Sequence, residues 1–207
     1  MRTLVLASTS PFRRELLKRL GLPFTVAAPR FVERLERAAD PARMAAELAL
    51  GKAMSLAGDY PNAVIIGSDQ VLVTDGEIVG KPGSADRARD QLRRMSGGTH
   101  VFHAGLAVVD TASGETRVAA VPFTVTMREL TDREIDNYIR LDDPLGCAGS
   151  FKIEGLGIAL MEKLEGDDFT ALIGLPLIEL VSILRGLRVN PLDPEPPPYS
   201  SMTTRAL

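Results

Sequence analysis

The feature that most constrains this chain is the stretch LVLASTSPFRREL, residues 4–16. Its continuous apolar run is typical of a short buried strand, and the run ends abruptly at the hydroxyl residues Ser8, Thr9 and Ser10. Ser10 is a favourable N-cap, and Pro11 suits the first position of a helix. The stretch therefore predicts a strand that leads directly into a helix.

The start of this predicted helix has the features of an anion-binding site. The first turn of a helix leaves backbone N–H groups unpaired and carries the positive end of the helix dipole. The hydroxyls of Ser8 and Ser10 and the guanidinium groups of Arg13 and Arg14 add donors that suit phosphate oxygens. This combination indicates a polyphosphate site. The alternative is a well-capped surface helix whose arginines are solvated.

The remaining segments predict an α/β fold built on a mixed, curved sheet flanked by helices. Single strands are predicted at PFTVAAP and at IALMEKLEG. Another strand is predicted at VII, followed by a polar break at GSDQ and then a hairpin. The stretches THVFHAGLAVVD and TRVAAVPFTVTMREL predict a long pair of strands. Helix starts are predicted at Asp40, Ser84, Thr131 and Pro176. Because strands and helices do not alternate strictly, a doubly wound parallel sheet is disfavoured and the middle of the sheet is expected to be antiparallel.

Three residues in the middle of the chain are candidates for chemistry. Asp69 directly follows a predicted buried strand, where an acid can bind a divalent metal or accept a proton from water; the alternative is a turn cap. Lys52 continues the apolar helical spacing of Met44 and Leu48, so it either snorkels to the surface or points into a cavity. Lys81 follows the predicted hairpin and either returns to the same end of the sheet or stays in an exposed turn.

Composition excludes several classes of function. The net charge is -3 without a long basic run, which argues against broad binding of nucleic acid. One cysteine and two histidines exclude an internal disulfide and a structural zinc site, and they favour a reducing cytoplasmic location. No stretch has the length of a membrane span or a signal-peptide core. Residues 190–207 are proline-rich and predict a disordered tail behind one domain over residues 1–189.

Five motifs taken together resemble the Maf family of nucleoside triphosphate pyrophosphatases: LVLASTSPFRRELL, GSDQV, GKP, EIDNYI and CAGSFKIEGLGI. The resemblance extends from Leu4 to about Arg188, and it is closer to the subgroup that acts on 7-methyl-GTP than to the one that acts on dTTP and UTP. It implies two lobes around a cleft, a fold related to the inosine triphosphate pyrophosphatases. It also implies hydrolysis between the α- and β-phosphates, with removal of modified nucleotides as the expected role.

The resemblance further implies roles for individual residues. Asp69 matches the family's proton acceptor, and Glu33 matches an acid associated with the metal. The positions that match or adjoin phosphate-binding residues are Ser8, Ser10, Arg13, Arg14, Lys52 and Lys81. A divalent cation, Mg²⁺ or alternatively Mn²⁺, is implied with Asp69 and Glu33 as its ligands. The chain departs from the family pattern at Val32, where a second acid is usual.

Three further positions, Phe12, Gln70 and Glu154, match those linked to substrate choice in the family. The dTTP and UTP subgroup typically carries Arg, Thr and Gln there, so this chain sides with the 7-methyl-GTP subgroup. N7-methylation gives guanine a positive charge, which the ring of Phe12 can attract by a cation–π contact of ~1–2 kcal/mol when desolvated. The carboxylate of Glu154 can accept hydrogen bonds from the guanine edge or offset its charge.

Two other hypotheses remain open on the sequence alone. The first is a pyrophosphatase with another base preference, such as dTTP or UTP. The second is a nucleotide-binding regulator of septum formation with little turnover. In each case the expected partner is a small nucleotide, without nucleic acid or membrane, and a homodimer is suggested by family analogy.

Overall fold

A mixed β-sheet forms the centre of the molecule. The structure is a computed structural model that describes residues 2–32 and 40–193, and within those ranges it contains seven strands and six α-helices. The strands are β1 (Thr3–Ala7), β2 (Phe24–Ala27), β3 (Ala63–Thr74), β4 (Glu77–Val79), β5 (Thr99–Asp110), β6 (Thr116–Met127) and β7 (Met161–Glu165). The helices are α1 (Pro11–Lys18), α2 (Pro41–Met54), α3 (Ala85–Met95), α4 (Asp132–Asp142), α5 (Phe169–Ile173) and α6 (Leu177–Gly186).

The order of the strands confirms the predicted mixed sheet. It runs β2-β1-β3-β5-β6-β7, and β4 pairs with β3 outside this path. β1 is parallel to both β2 and β3, whereas β3, β5, β6 and β7 pair antiparallel. The antiparallel middle of the sheet is thus confirmed. Within it, Asp69 on β3 lies opposite Gly105 on β5.

Helices cover both faces of the sheet. On one face, Ala49 and Ala53 of α2 pack with Ile65 of β3. On the other face, leucines of α1 and α6 pack with Ile66, the next residue of the same strand, and with Leu106. Since successive side chains of a strand point to opposite faces, this alternation explains why β3 begins as an unbroken apolar run.

The helix starts agree with the predicted caps. Ser10, Ser84 and Thr131 each accept a hydrogen bond from a backbone N–H group of the first turn, as does Asp40. Thr131 also forms a capping box, because the side chain of Glu134 accepts in turn from the N–H group of Thr131.

Two local predictions are wrong, and one helix was missed. The strand around Asp69 does not break at GSDQ, because β3 pairs with β5 continuously from Val64 to Val73. Its polar side chains Ser68, Asp69 and Gln70 are hydrogen-bonded to groups on other elements. β7 begins at Met161, since residues 156–160 form a 3₁₀ turn. Helix α5 has five residues, which is too short to produce a helical hydrophobic pattern, and the sequence did not reveal it.

Glu33 and most of the predicted proline-rich tail lie outside the described residues. The disorder assigned to residues 190–207 therefore stays a prediction, and Asn190 to Asp193 are the only part of it described. In the described part of the chain, no helix has the length and apolar character that a membrane span requires.

The close packing of α2 against the sheet generates a stability prediction. A Cβ atom at Gly67 would overlap the carbonyl oxygen of Ala49 on α2. We expect Gly67→Ala to lower the free energy of unfolding by about 3 kcal/mol, because neither backbone can move without opening the core. Gly186→Ala is the matched control, since a Cβ there has no neighbour within 4 Å. Urea denaturation of both variants would measure the difference, and similar midpoints would contradict the prediction.

Candidate active site

A cavity of about 600 Å³ opens where distant parts of the chain meet. Its wall is built from the turn between β1 and α1, from α2 and β3, from the segment after β4, and from residues 146–154. The residues predicted from the sequence that line it are Ser8, Ser10, Phe12, Arg13, Lys52, Asp69, Gln70, Lys81 and Glu154. Arg14 is exposed and is absent from the described lining, so the geometry does not support its predicted role.

A carboxylate and two cations meet in the wall of the cavity. Lys52 is only 8% exposed, and its Nζ lies 2.8 Å from Oδ1 of Asp69. The Nη2 atom of Arg13 lies 3.7 Å from the same oxygen. Lys52 therefore points into the cavity and does not snorkel to the surface. The cluster combines one acid with donors that suit a phosphate group.

The turn between β1 and α1 contributes two hydroxyl residues to the same wall. Ser8 is buried, and its Oγ accepts a hydrogen bond from the N–H group of Ser10 at 3.1 Å. The Oγ of Ser10 accepts from the N–H group of Arg13 at 3.4 Å, as an N-cap does. Both hydroxyls act here as acceptors, so each keeps its own hydrogen as a donor for an anion.

Much of the remaining wall of the cavity is apolar. Its apolar lining includes Val79, Phe102, Phe151, Ile153 and Leu172. The rings of Phe102 and Phe151 pack edge to face, with centroids 5.5 Å apart. An apolar wall of this kind accommodates a flat ring system, while the charged cluster is suited to phosphates.

Two further charged residues, from separate loops, line the cavity. Lys81 and Glu154 are both exposed, yet both contribute to the wall. The part of Glu154 that lies against the wall is shielded from water, which raises its pKa; the nearby carboxylate of Asp142 adds to that rise and the charge of Lys152 opposes it. Burial likewise raises the pKa of the Cys147 thiol, which lies in the same wall. Glu154 therefore takes up a proton more readily than an ordinary glutamate, and Cys147 stays a neutral thiol.

Gln70 is held by backbone contacts that the sequence did not indicate. Its Nε2 donates to the carbonyl oxygens of Ala171 at 3.0 Å and of Leu172 at 2.9 Å. The reverse orientation would place Oε1 against two other oxygens, so the environment determines the direction of the amide. A similar contact was also missed: the carbonyl oxygen of Gly174 accepts a hydrogen bond from Nε of Arg13 at 2.8 Å.

The fit of a divalent metal rests on Asp69. Among the residues that the structure describes, no three His, Cys, Asp or Glu side chains cluster closely enough to hold an ion. However, Mg²⁺ commonly binds through one or two carboxylates and completes its shell with substrate phosphates and water. Asp69 lines the cavity beside Lys52 and Arg13, which both contact its Oδ1. The donor set therefore fits an ion held mainly by a bound polyphosphate.

Comparison with known proteins agrees with this geometry. The model of the Maf family, described as Maf-like protein, matches residues 3–187. A protein of Syntrophotalea carbinolica named 7-methyl-GTP pyrophosphatase is 53% identical over 192 residues, which cover 91% of this chain and 98% of the relative. A protein of Cupriavidus pinatubonensis with the same name is 54% identical over 182 residues, covering 88% and 92%.

The buried ion pair generates a prediction about stability. We expect Lys52→Met to lower the free energy of unfolding by about 2–3 kcal/mol, because the carboxylate of Asp69 loses its nearest counter-charge in a poorly hydrated site. The double variant Lys52→Met/Asp69→Asn should recover much of that loss. The control is Lys18→Met, which removes an exposed ion pair to Glu15 and should change stability by less than about 0.5 kcal/mol. Chemical denaturation would measure all three, and equal effects of the two single variants would contradict the prediction.

Proposed function

This chain belongs to the Maf family, and we propose that it hydrolyses 7-methyl-GTP to 7-methyl-GMP and pyrophosphate. The observation that carries the proposal is the meeting of Asp69, Lys52 and Arg13 in a cavity that also has an extensive apolar lining. A triphosphate and an aromatic base need both environments within one cavity. The two relatives named for this activity support the choice of substrate. The enzyme class is a hydrolase acting on acid anhydrides.

Asp69 is the proposed general base. Its carboxylate takes a proton from a water molecule while the water oxygen forms a bond to the α-phosphorus. The bond between that phosphorus and the bridging oxygen breaks, and its electron pair leaves with the pyrophosphate. Before substrate binds, Lys52 and Arg13 contact Oδ1 of Asp69. A bound triphosphate would compete for both cations and leave the carboxylate freer to accept the proton.

The cations stabilise the charge that develops on the leaving group. Lys52 and Arg13 come from different helices and approach Asp69 within one cluster. Ser8, Ser10 and Lys81 line the same cavity and supply further donors for the phosphate oxygens. Because these donors are arranged before the substrate arrives, little reorganisation is needed in the transition state.

A divalent cation, Mg²⁺ or alternatively Mn²⁺, forms part of the proposal. Asp69 is the proposed ligand within the described residues, and Glu33, which lies outside them, is the second. When bound, the ion would neutralise charge on the phosphates and help to orient them.

Recognition of the base is assigned to Phe12 and Glu154. Both residues line the cavity, and so does Gln70. Because Nε2 of Gln70 donates to two backbone carbonyl oxygens, Oε1 is the amide atom that can bind a ligand. The positive charge of 7-methylguanine favours an aromatic face and a nearby carboxylate. The proposal also includes a role in removing modified nucleotides. A cytoplasmic location is part of it, because the single cysteine favours a reducing compartment. A homodimer is included on the basis of the family resemblance.

The role of Asp69 is tested by removing its basicity. We expect Asp69→Asn to lower kcat for pyrophosphate release from 7-methyl-GTP by about 10²–10⁴-fold, which is the usual contribution of a general base. Far-UV circular dichroism should confirm that the fold is retained.

Wild-type protein that binds 7-methyl-GTP tightly without releasing pyrophosphate would instead support a regulator of septum formation. Equal wild-type rates on UTP and 7-methyl-GTP would contradict the proposed specificity.

The role of Glu154 is tested by pH. Because its pKa is raised above the ordinary value of 4.5, acidification should neutralise its carboxylate at a higher pH than for an exposed glutamate. We expect the KM for 7-methyl-GTP to rise in that range relative to the KM for GTP, whose phosphates titrate in the same way. Glu154→Gln should remove the pH dependence of this ratio. An unchanged pH profile in the variant would contradict the assignment.

A further inference from the structure

The hydroxyl of Ser68 connects the central strand to the loop that holds Arg13. Ser68 is fully buried and immediately precedes Asp69. Its Oγ lies 2.8 Å from the carbonyl oxygen of Gly105 and 2.8 Å from that of Gly174, so its single hydroxyl hydrogen is shared between these two acceptors. The carbonyl oxygen of Gly174 also accepts from Nε of Arg13 at 2.8 Å. We infer that Ser68 is a positioning residue that sets the orientation of the Arg13 guanidinium through Gly174.

The corner between α5 and α6 is rigid enough to transmit this constraint. Asp168 is buried and accepts hydrogen bonds from the N–H groups of Thr170 at 2.9 Å and Ile178 at 2.8 Å. The hydroxyl oxygen of Thr170 accepts from the N–H group of Leu177 at 2.8 Å. These bonds join the starts of the two helices on either side of Gly174. The position of its carbonyl oxygen is therefore determined by the corner and by Ser68 together.

The strand holds this corner at two points on one face. Ser68 and Gln70 are two residues apart on β3, so their side chains share a face, while that of Asp69 points to the other. Gln70 binds the carbonyl oxygens of Ala171 and Leu172 within α5. Ser68 binds that of Gly174, directly after the helix. The strand that carries Asp69 thereby also positions the support of Arg13.

The orientation of Arg13 matters because its guanidinium is planar. The bond from Nε to Gly174 directs one edge of the group toward the corner, and Nη2 then lies 3.7 Å from Oδ1 of Asp69. A shift of about 1 Å in a group that binds the reacting phosphates can cost up to about 10²-fold in rate. This inference rests on the proposed function, since it assigns Arg13 to the phosphates.

The test is a double-mutant cycle between Ser68 and Arg13. We expect Ser68→Ala to lower kcat for pyrophosphate release by about tenfold, because the guanidinium loses its fixed orientation. Arg13→Lys removes the Nε donor, so Ser68→Ala should add little further loss in that background. Thr74→Val is the matched control. It removes another buried hydroxyl of β3, one without a hydrogen-bond partner among the described residues, and should leave kcat unchanged.

Two outcomes would overturn the inference. Equal losses from Ser68→Ala in the wild-type and Arg13→Lys backgrounds would show that Ser68 does not act through Arg13. A lower melting temperature with unchanged kcat would assign Ser68 a purely structural role.

Binding of inorganic pyrophosphate, measured by calorimetry, separates this inference from the proposed function. Ser68→Ala should weaken that binding whatever the base preference of the enzyme, while Thr74→Val should not. If wild-type protein failed to hydrolyse 7-methyl-GTP but showed this difference, the proposed function would fail and the positioning role would stand. Unweakened pyrophosphate binding in Ser68→Ala would overturn the positioning role.

Discussion

The close approach of helix α2 to the sheet is the constraint on which the site depends. Gly67 and Gly105 each lack the Cβ that would overlap backbone atoms of this helix. With the helix seated this closely, Lys52 on its inner face reaches Asp69 on β3. The ion pair itself adds little to stability, since desolvating both charges offsets most of their attraction. The apolar packing around the ion pair stabilises the fold and holds the charges in a fixed arrangement.

The two faces of strand β3 have different functions. One face presents Asp69 to the lysine of α2, and the other uses Ser68 and Gln70 to bind the corner between α5 and α6. An unbroken strand is well suited to this purpose, because its ladder to β5 fixes consecutive side chains in opposite directions. The polar stretch GSDQ is therefore part of a continuous strand, although its composition suggested an interruption.

The cavity combines two environments that a nucleotide needs together. The cluster of Arg13, Lys52 and Asp69 comes from α1, α2 and β3, whereas Lys81, Glu154 and much of the apolar wall come from segments later in the chain. Most of these segments are far apart in sequence, so no single motif contains the site. Lys52 and Lys81 illustrate this, because each alone is more typical of a solvated surface lysine. Because both lysines line the same cavity, the proposed phosphate binding explains both.

The sequence by itself determined the local elements: the strand before Ser8, the capped helices and the mixed, centrally antiparallel sheet. These follow from short-range patterns of apolar spacing and capping, which act over a few residues. Only the tertiary structure decided that Lys52 points inward, that Arg14 does not line the described cavity, and that Ser68 and Gly174 support Arg13. Those outcomes depend on contacts between residues as far as 161 positions apart, and a linear pattern does not encode such contacts.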